Sequence, residues 1–384
     1  MDHGSSTPVD KEVIAEMMPY FNKVYGNASS IHSIGRDAYD SVEESREKVA
    51  SILNGDAEEI IFTSGGTESD NLAIKGVAFL NKKKRGSKGA NIITSTIEHP
   101  AVLETCKHME KIGFNVKYLP VDKYGLISVK ALEDAISKDT FLITIMLANN
   151  EIGTIEPIEE IGKIAKEHDV VFHTDAVQAI GKVPIDVNKS NIDLLSISSH
   201  KIYGPKGVGA VYFRKGLKLQ TISHGGGHEK GLRSGTYNTP GIVGLGKACE
   251  LGKSRMKNDV AHMKKLRDIL IKETLKIEES YLNGHPEKRL VNNAHFRFTA
   301  IEGESLIMML DDKGIASATG SACSSMKLQA SHVLTAIGLK PEEAHGSLRL
   351  TLGKMNTKED VSYVAEVLPD IVSKLRKMSP LWNR

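Results

Sequence analysis

A lysine that directly follows a predicted strand is the first residue whose position suggests covalent chemistry. Lys201 lies in the segment SISSHKIYGPKGVGAVYF, between a strand and a turn rich in Gly and Pro. Ligands of open α/β sheets bind outside the carboxyl ends of the strands, so Lys201 is placed where a ligand would lie. A lysine there can form a Schiff base with a carbonyl cofactor such as pyridoxal 5'-phosphate. Ser198 and His200 flank it and can hydrogen-bond a phosphate, although a loop lysine considered alone is usually a solvated charge.

An acidic residue at another predicted strand end suits the same cofactor. Asp175 and Gln178 lie in the segment VVFHTDAVQAIGK, which ends 19 residues before Lys201. Pyridoxal phosphate needs a carboxylate against its pyridinium nitrogen to keep the ring a good electron acceptor, and Asp175 can supply it. Gln178 is placed to reach the phenolic oxygen of the ring. A lone aspartate at a strand end is more often a helix cap, so this assignment depends on its neighbours.

Three further strand ends each offer a polar group. Gly66 and Thr67 in TSGGTESDNLA form a turn before a helix, where backbone N–H groups can bind a phosphate. His99 in TSTIEHPAVLE can stack on a flat ring and move protons. Asn149 and Asn150 in LANNEIGT lie at a fifth strand end. Each signal is weak alone, because SGGT is also an ordinary capped turn and a single His is more often structural. Their occurrence together in this order indicates one planar, phosphorylated cofactor.

These groups require a sheet whose strand ends lie side by side. Short β-rich runs alternate with helical patterns through the first two-thirds of the chain, and this alternation predicts an α/β fold. The predicted strands are 59–64, 91–95, 115–121, 141–148, 170–176, 194–198 and 208–213. Helices are predicted at about 67–80, 99–111, 128–137 and 157–168. We therefore expect a mainly parallel seven-stranded sheet flanked by helices.

The pattern changes after about residue 220. The Gly-rich segment SHGGGHEKGLRSGT precedes a long helical stretch to about residue 279, and a smaller α+β segment follows. We expect a large domain of residues 13–255 and a small domain formed by residues 1–12 and 256–384. The first dozen residues are expected to pack near the junction of the two.

Composition excludes several classes of protein. Lys plus Arg number 50 and Asp plus Glu 48, and a net charge of +2 argues against direct nucleic-acid binding and against a polybasic membrane binder. The apolar run FLITIMLA is too short to span a bilayer, which takes about 20 residues. The start of the chain lacks the apolar region of a signal peptide. Three isolated cysteines, Cys106, Cys249 and Cys323, fit a reducing cytoplasm and rule out a C-x-x-C motif.

With these residues in place, the sequence resembles the cysteine desulfurases of the NifS/IscS type. They belong to the class-V aminotransferase family within the fold-type I pyridoxal phosphate enzymes. The matching strings run in family order from about residue 7 to 353: SGGTESDN, EHPA, NNEIG, HTDAVQ, SSHKIYGPKGVG, RSGT and GSACSS. The resemblance covers nearly the whole chain. It implies the fold-type I architecture with a smaller α+β C-terminal domain, pyridoxal phosphate as cofactor, L-cysteine as substrate and no metal site.

The resemblance also implies a role for each site residue. Lys201 forms the Schiff base, Asp175 meets the pyridine nitrogen, Gln178 meets the phenolic oxygen and His99 stacks on the ring. The phosphate is held by Gly66, Thr67, Ser198 and His200. Thr236 reaches the cofactor phosphate of the other subunit, which implies an obligate homodimer. The substrate is contacted by Arg349, whose fork suits a carboxylate, by Asn150 and by Asn27.

One cysteine decides the predicted reaction. Cys323 lies among small residues in ASATGSACSSMKLQASHVL, within a predicted catalytic loop of about residues 316–331. Considered alone it would more often be a small buried residue, but beside a pyridoxal site it is predicted to accept the sulfur of cysteine. The products are then L-alanine and a Cys323 persulfide, with His99 as the candidate for moving the thiol proton. Cys106 and Cys249 are predicted to be inert core residues.

The loop carrying Cys323 has the long form, found in family members that hand sulfur to protein partners. An iron–sulfur scaffold protein or a tRNA-thiolation relay protein is therefore the expected acceptor. The chain also departs from the family, because Ser5 and Ser6 replace the usual Ala-Thr pair and Ala28 replaces a Pro. The alternatives are a selenocysteine lyase, a related pyridoxal phosphate aminotransferase, an inactive partner-binding subunit, or a metal protein that uses His224 and His228.

Overall fold

The large sheet has the predicted seven strands. The computed structural model describes residues 1–85, 91–320 and 330–382. The strands are β1 (Ile60–Thr63), β2 (Asn91–Ser95), β3 (Asn115–Leu119), β4 (Thr140–Thr144), β5 (Val171–Asp175), β6 (Leu194–Ser198) and β7 (Gly209–Phe213). Their order across the sheet is β1-β7-β6-β5-β4-β2-β3. Neighbouring strands from β6 to β3 are parallel, and only β7 is antiparallel to its neighbours. The predicted mainly parallel α/β sheet is confirmed.

Helices cover the sheet. They are α1 (Lys11–Met17), α2 (Ser33–Leu53), α3 (Gly66–Arg85), α4 (Pro100–Lys111), α5 (Val129–Ala135), α6 (Ile158–Glu167), α7 (Thr239–Thr274), α8 (Gly303–Asp311), α9 (His332–Ala336), α10 (Pro341–His345) and α11 (Lys358–Met378). Strands β2, β4 and β6 are buried along their whole length, as expected for parallel strands covered on both faces. Edge strand β3 has only one fully buried residue, Leu119. Within the described ranges, no helix is long and apolar enough to cross a bilayer.

A second, smaller sheet follows α7. It consists of β8 (Ser280–Asn283), β9 (Asn293–Phe298) and β10 (Ser347–Thr351), in the order β10-β9-β8 with antiparallel pairing. Its apolar core, which includes Phe296, Phe298 and Leu348, is separate from the core of the large sheet. Helix α7 contributes Leu245 to the first core and Leu266 to the second. The predicted boundary near residue 255 falls within this helix, and we propose that the two domains share it.

The N-terminal residues lie between the two sheets. Asp2 forms a β-bridge with Thr351 of β10, and Thr7 accepts and donates hydrogen bonds at the start of the segment that follows β6. These contacts join the N-terminal segment to both sheets, and we propose that it packs at the junction of the two domains.

The sheet gathers its carboxyl strand ends along one edge. Because β7 is antiparallel to both β1 and β6, β1 points the same way as the parallel strands. The ends of β1, β2, β4, β5 and β6 consequently lie on the same side of the sheet. This is the edge at which ligands of open α/β sheets bind.

Candidate active site

A cavity of about 410 Å³ opens at this edge. It brings together ten of the residues predicted from the sequence: Gly66, Thr67, His99, Asn150, Asp175, Gln178, Ser198, His200, Lys201 and Arg349. Asn27 and Thr236 are not among its lining residues. Cys323 lies outside the described residues. Residues more than 280 positions apart in the chain thus meet around one cavity.

One end of the cavity is built to receive an anion. Gly66 is the first residue of α3, a 20-residue helix whose free N–H groups and positive dipole end face this region. Gly65 before it has φ of 150°, a conformation that side chains rarely allow. A Cβ added to Gly66 would lie 2.8 Å from Val177 Cγ2, so a larger residue there would require Val177 or the turn to shift. With Ser198 and Thr67 beside it, this turn suits a phosphate.

Asp175, the last residue of β5, places a carboxylate in the cavity, which suits a cationic ring. Its Oδ1 accepts a hydrogen bond from the backbone N–H of Val177 at 2.8 Å, which fixes the carboxylate. Burial raises the pKa of Asp175, while the nearby His99 and Lys201 act in the opposite direction. A buried carboxylate is stabilised by a protonated ring nitrogen placed against it, because opposite charges favour the ionised form of each.

Lys201 is held by main-chain carbonyls of the N-terminal segment. It ends the one-turn 3₁₀ helix Ser199–Lys201, directly after β6. Its Nζ donates hydrogen bonds to Gly4 O at 2.6 Å and to Ser5 O at 2.8 Å. Gln178 Nε2 donates to the same Gly4 carbonyl at 3.0 Å. The two side chains predicted to meet one edge of the ring therefore already converge on one point.

His99 is fixed by its position before α4. It is the N-cap residue of that helix, and its Nδ1 accepts the backbone N–H of Ala101 at 3.1 Å. Burial lowers the pKa of His99, so the ring is neutral and its proton is assigned to Nε2. For the ring to accept a further proton at Nδ1, the cap hydrogen bond must break. The geometry favours stacking on a ring over proton transfer.

Arg349 of β10 places a guanidinium group at the cavity. Its Nη1 donates to Asn150 O at 2.9 Å, and its Nη2 contacts Ser5 Oγ at 2.7 Å and Asp2 Oδ1 at 3.2 Å. Its Nε is buried and has no hydrogen-bond partner within the described part of the chain. The guanidinium is therefore held at the cavity through both of its Nη groups. These contacts suit the binding of an amino-acid carboxylate.

Two features of the cavity were missed in the sequence. Gly4 and Ser5 line it, and no local pattern identified them. Asp70 also lines it, three residues after Thr67 on the same face of α3, a spacing that could have revealed it. Burial, with the Asp175 carboxylate as the next cause, raises the pKa of Asp70 well above its usual value. Its Oδ1 lies 3.6 Å from Nε2 of His173, whose pKa burial lowers to about 3. Burial and the Asp175 carboxylate thus both favour the protonated form of this cavity-lining residue.

Asn27 and Thr236 lie elsewhere, both exposed. Their chain neighbours Ala28, Ser29 and Tyr237 line a second cavity of about 430 Å³ with His228. His228 packs edge-on against Tyr237 and accepts a hydrogen bond from Gly235 N at 3.3 Å. In the ranges that the structure describes, no group of three or more His, Cys, Asp or Glu side chains is arranged to hold a metal ion.

The donor set of the first cavity fits pyridoxal phosphate. The helix N-terminus with Ser198 fits its phosphate, the buried Asp175 fits its ring nitrogen, and Lys201 fits its aldehyde carbon. The flat side chain of His99 fits a ring face. Each group demands a different partner chemistry, and a single planar phosphorylated aldehyde satisfies all of them.

Comparisons with known proteins show what the chain is similar to. The model of the family "Aminotransferase class-V" matches residues 1–364. The cysteine desulfurase IscS of Methanosarcina thermophila is 58% identical over 381 residues, which cover 99% of this chain and 93% of that protein. A solved structure titled NifS-like protein is 40% identical, with a TM-score of 0.90 over 97% of this chain and 98% of its own. A structure titled SspA in complex with cysteine is also 40% identical, with a TM-score of 0.81 over 93% and 99% of the two chains.

Proposed function

The chain belongs to the class-V aminotransferase family and is a pyridoxal phosphate-dependent cysteine desulfurase, in which we propose that Lys201 carries the cofactor and Cys323 takes the sulfur. The observation that carries the assignment of the site is the cavity that joins Lys201, Asp175 and Arg349. The sequence left open a selenocysteine lyase and an aminotransferase. The curated relatives named cysteine desulfurase favour the desulfurase over both. These relatives also argue against an inactive subunit.

Bound pyridoxal phosphate supplies an electron-accepting ring that stabilises negative charge at the Cα atom of the substrate. Asp175 keeps a proton on the ring nitrogen, because a buried carboxylate favours a cation against it. Gln178 donates a hydrogen bond to the phenolic oxygen. The phosphate is held by Gly66, Thr67, Ser198 and His200. His99 covers one face of the ring.

The substrate binds through its carboxylate and reacts at its Cα proton. Arg349 binds the carboxylate of L-cysteine, and Asn150, whose carbonyl holds the guanidinium, contacts the substrate beside it. Lys201 Nζ removes the proton from Cα and returns a proton later in the reaction. It is suited to this because its side chain lines the cavity just beyond the end of β6.

The sulfur step belongs to Cys323. Its thiolate attacks the substrate sulfur, an S–S bond forms, and the bond between Cβ and that sulfur breaks with its electron pair remaining on the carbon. Proton addition at Cβ then gives L-alanine, and Cys323 keeps a persulfide. The net change, cysteine plus a thiol to alanine plus a persulfide, needs no external oxidant or reductant.

The purified protein with its cofactor is expected to release alanine and sulfide in equal amounts from L-cysteine when a reducing thiol is present. The equality follows because each turnover transfers one sulfur and leaves one alanine. Amino-acid analysis and a sulfide assay on the same samples measure it. Conversion of L-cysteine to its keto acid without sulfide release, and only when a second keto acid is added to take the amino group, would instead identify an aminotransferase.

We also propose that the enzyme is a homodimer. Seven large apolar side chains are exposed within a short stretch at the start of the chain: Ile14, Met18, Phe21, Tyr25, Ile31, Ile34 and Tyr39. Exposed clusters of this kind usually mark an interface with another protein. Thr236 and Asn27 lie away from the cavity of their own chain, which supports roles at the site of a second copy.

Mixing two inactive variants tests the shared site. We expect mixed dimers of Lys201→Ala and Thr236→Glu chains to regain about a quarter to a half of wild-type activity. If Thr236 acts across subunits, one of the two sites in a mixed dimer combines the native Lys201 of one chain with the native Thr236 of the other. If Thr236 acts within its own subunit, neither site is intact. A glutamate is chosen because its charge repels the phosphate. Cysteine turnover after co-expression of the two chains measures it. Activity no higher than that of the Thr236→Glu protein would place Thr236 in its own subunit's site.

The persulfide sulfur is proposed to pass to an acceptor protein in the cytoplasm, such as an iron–sulfur scaffold or a tRNA-thiolation relay protein. The near-neutral charge of the chain supports a protein acceptor over direct contact with nucleic acid. Unpaired, buried Cys106 and Cys249 fit a reducing compartment.

A further inference from the structure

A buried lysine lies behind the two residues that face the edge of the cofactor. Lys182, in the turn that follows β5, is 7% exposed. Its Nζ donates hydrogen bonds to Gln178 O and to Lys201 O, each at 3.1 Å. One carbonyl belongs to the segment after β5 and the other to the segment after β6, and the side chains of Gln178 and Lys201 both line the cavity. Lys182 itself does not line that cavity.

This arrangement is costly. Removing an ammonium group from water is unfavourable by several kcal/mol unless charge partners compensate. Lys182 forms no ion pair with a carboxylate in the part of the chain that is described, and two neutral carbonyls compensate only in part. An apolar side chain of similar length would fill the same space at lower cost. Compared with an apolar side chain, the amine at this position adds two hydrogen bonds and a positive charge.

The charged and titratable groups around Lys182 come from several elements. Asp10, which lines a small cavity together with Lys182, is already held by Lys354 and Arg255. Burial, and then the charge of Lys201, lowers the pKa of Lys182 to about 7. The charge of Lys182 in turn acts on His3 and His200. The groups that face the amine or line the small cavity beside it are His3, Asp10, His200, Lys201, Tyr203, Asp259 and Lys354.

We propose that Lys182 is a positioning residue of the active site, which joins the carbonyls of Gln178 and Lys201 and places a positive charge behind Lys201. The joined carbonyls hold the two side chains at a fixed separation. In its protonated form, which predominates below its pKa of about 7, the Lys182 amine favours the neutral form of the Lys201 amine, because like charges disfavour each other. A neutral amine is the form that can bond to an aldehyde and accept a proton from Cα. The inference rests on the proposed role of Lys201.

Two neutral variants of the holoenzyme separate the charge from the hydrogen bonds. Lys182→Met removes both, whereas Lys182→Gln keeps an N–H donor. We expect the pH midpoint of the visible absorbance of the lysine-bound cofactor to rise by about one unit in both variants. The kcat for cysteine is expected to fall further in Lys182→Met than in Lys182→Gln, while KM changes less than twofold. The Lys206→Met protein, which changes an exposed lysine five residues after Lys201, is the control.

The absorbance midpoint decides the inference. An unchanged midpoint in both folded variants, judged by far-ultraviolet circular dichroism, would overturn the role of the charge and with it the proposal. Equal kcat values in Lys182→Met and wild type would overturn it as well. Failure of the proposed function has a different signature, since the wild-type protein itself would then show no visible band that borohydride reduction fixes to Lys201.

Discussion

A Lys201→Ala protein is expected to lose the covalent cofactor linkage and to turn over cysteine about 10³- to 10⁴-fold more slowly than wild type. The loss is large because the proposed role combines the attachment of the cofactor with the removal of the Cα proton. Phosphate and ring contacts at Gly66, Asp175 and Gln178 remain, so the variant should still bind the cofactor non-covalently. Borohydride reduction followed by mass spectrometry of peptides measures the linkage, and alanine formation measures the rate.

Lys206→Ala is the matched control for this substitution. Lys206 is an exposed lysine in the same Gly- and Pro-containing turn, and it does not line the cavity. Its replacement should leave both the linkage and the rate within about twofold of wild type, as for most exposed positions. A cofactor found reduced onto any lysine other than Lys201 would contradict the assignment.

Sequence patterns located the strands because burial on both faces leaves a clear mark. The predicted strand 194–198 coincides with β6, and 91–95 coincides with β2. Strand 141–148 was predicted too long, since β4 ends at Thr144. Beyond it the chain stays buried and still bonds to the neighbouring strand, with Ile145 N donating to His173 O and Leu147 N to Asp175 O. Apolar continuity measures burial, and it does not show where regular pairing stops.

The site could be predicted wherever it depends on strand ends. Asp175 is the last residue of β5 and Lys201 closely follows β6, and the parallel order of the sheet brings these strand ends together. The contacts of Lys201 with Gly4 and Ser5 join residues 197 and 196 positions apart, and no periodic pattern reports such a pairing. Lys182 was missed for a related reason. A lysine in a turn is ordinarily solvated, and only the folded structure shows that it is buried.

Replacement of the proposed sulfur acceptor separates the two halves of the reaction. A Cys323→Ala protein is expected to keep the visible absorbance of its lysine-bound cofactor. Its rate of sulfide release is expected to fall by at least about 10³-fold relative to wild type. The absorbance persists because none of the groups that hold the cofactor is changed. Absorbance spectra and a sulfide assay measure the two effects on one preparation.

The other cysteines serve as internal controls. Cys106 and Cys249 are fully buried, and burial raises the pKa of both thiols, that of Cys249 to about 12. A buried, protonated thiol reacts slowly, so brief alkylation of the native protein should label Cys323 alone. Cys106→Ala and Cys249→Ala proteins should retain activity per folded molecule, at a cost of about 1 kcal/mol in unfolding free energy for the lost core volume.

The fate of the sulfur completes the argument. Wild-type enzyme given radiolabelled cysteine without a reducing thiol should hold one labelled sulfur on Cys323, and an added iron–sulfur scaffold protein should then collect that label. Cys323→Ala should hold none and pass none. Sulfide release by Cys323→Ala at the wild-type rate would mean that the sulfur leaves without a protein thiol. A label that stays on Cys323 when the scaffold protein is added would argue for a different acceptor, because the persulfide would then form without being recognised.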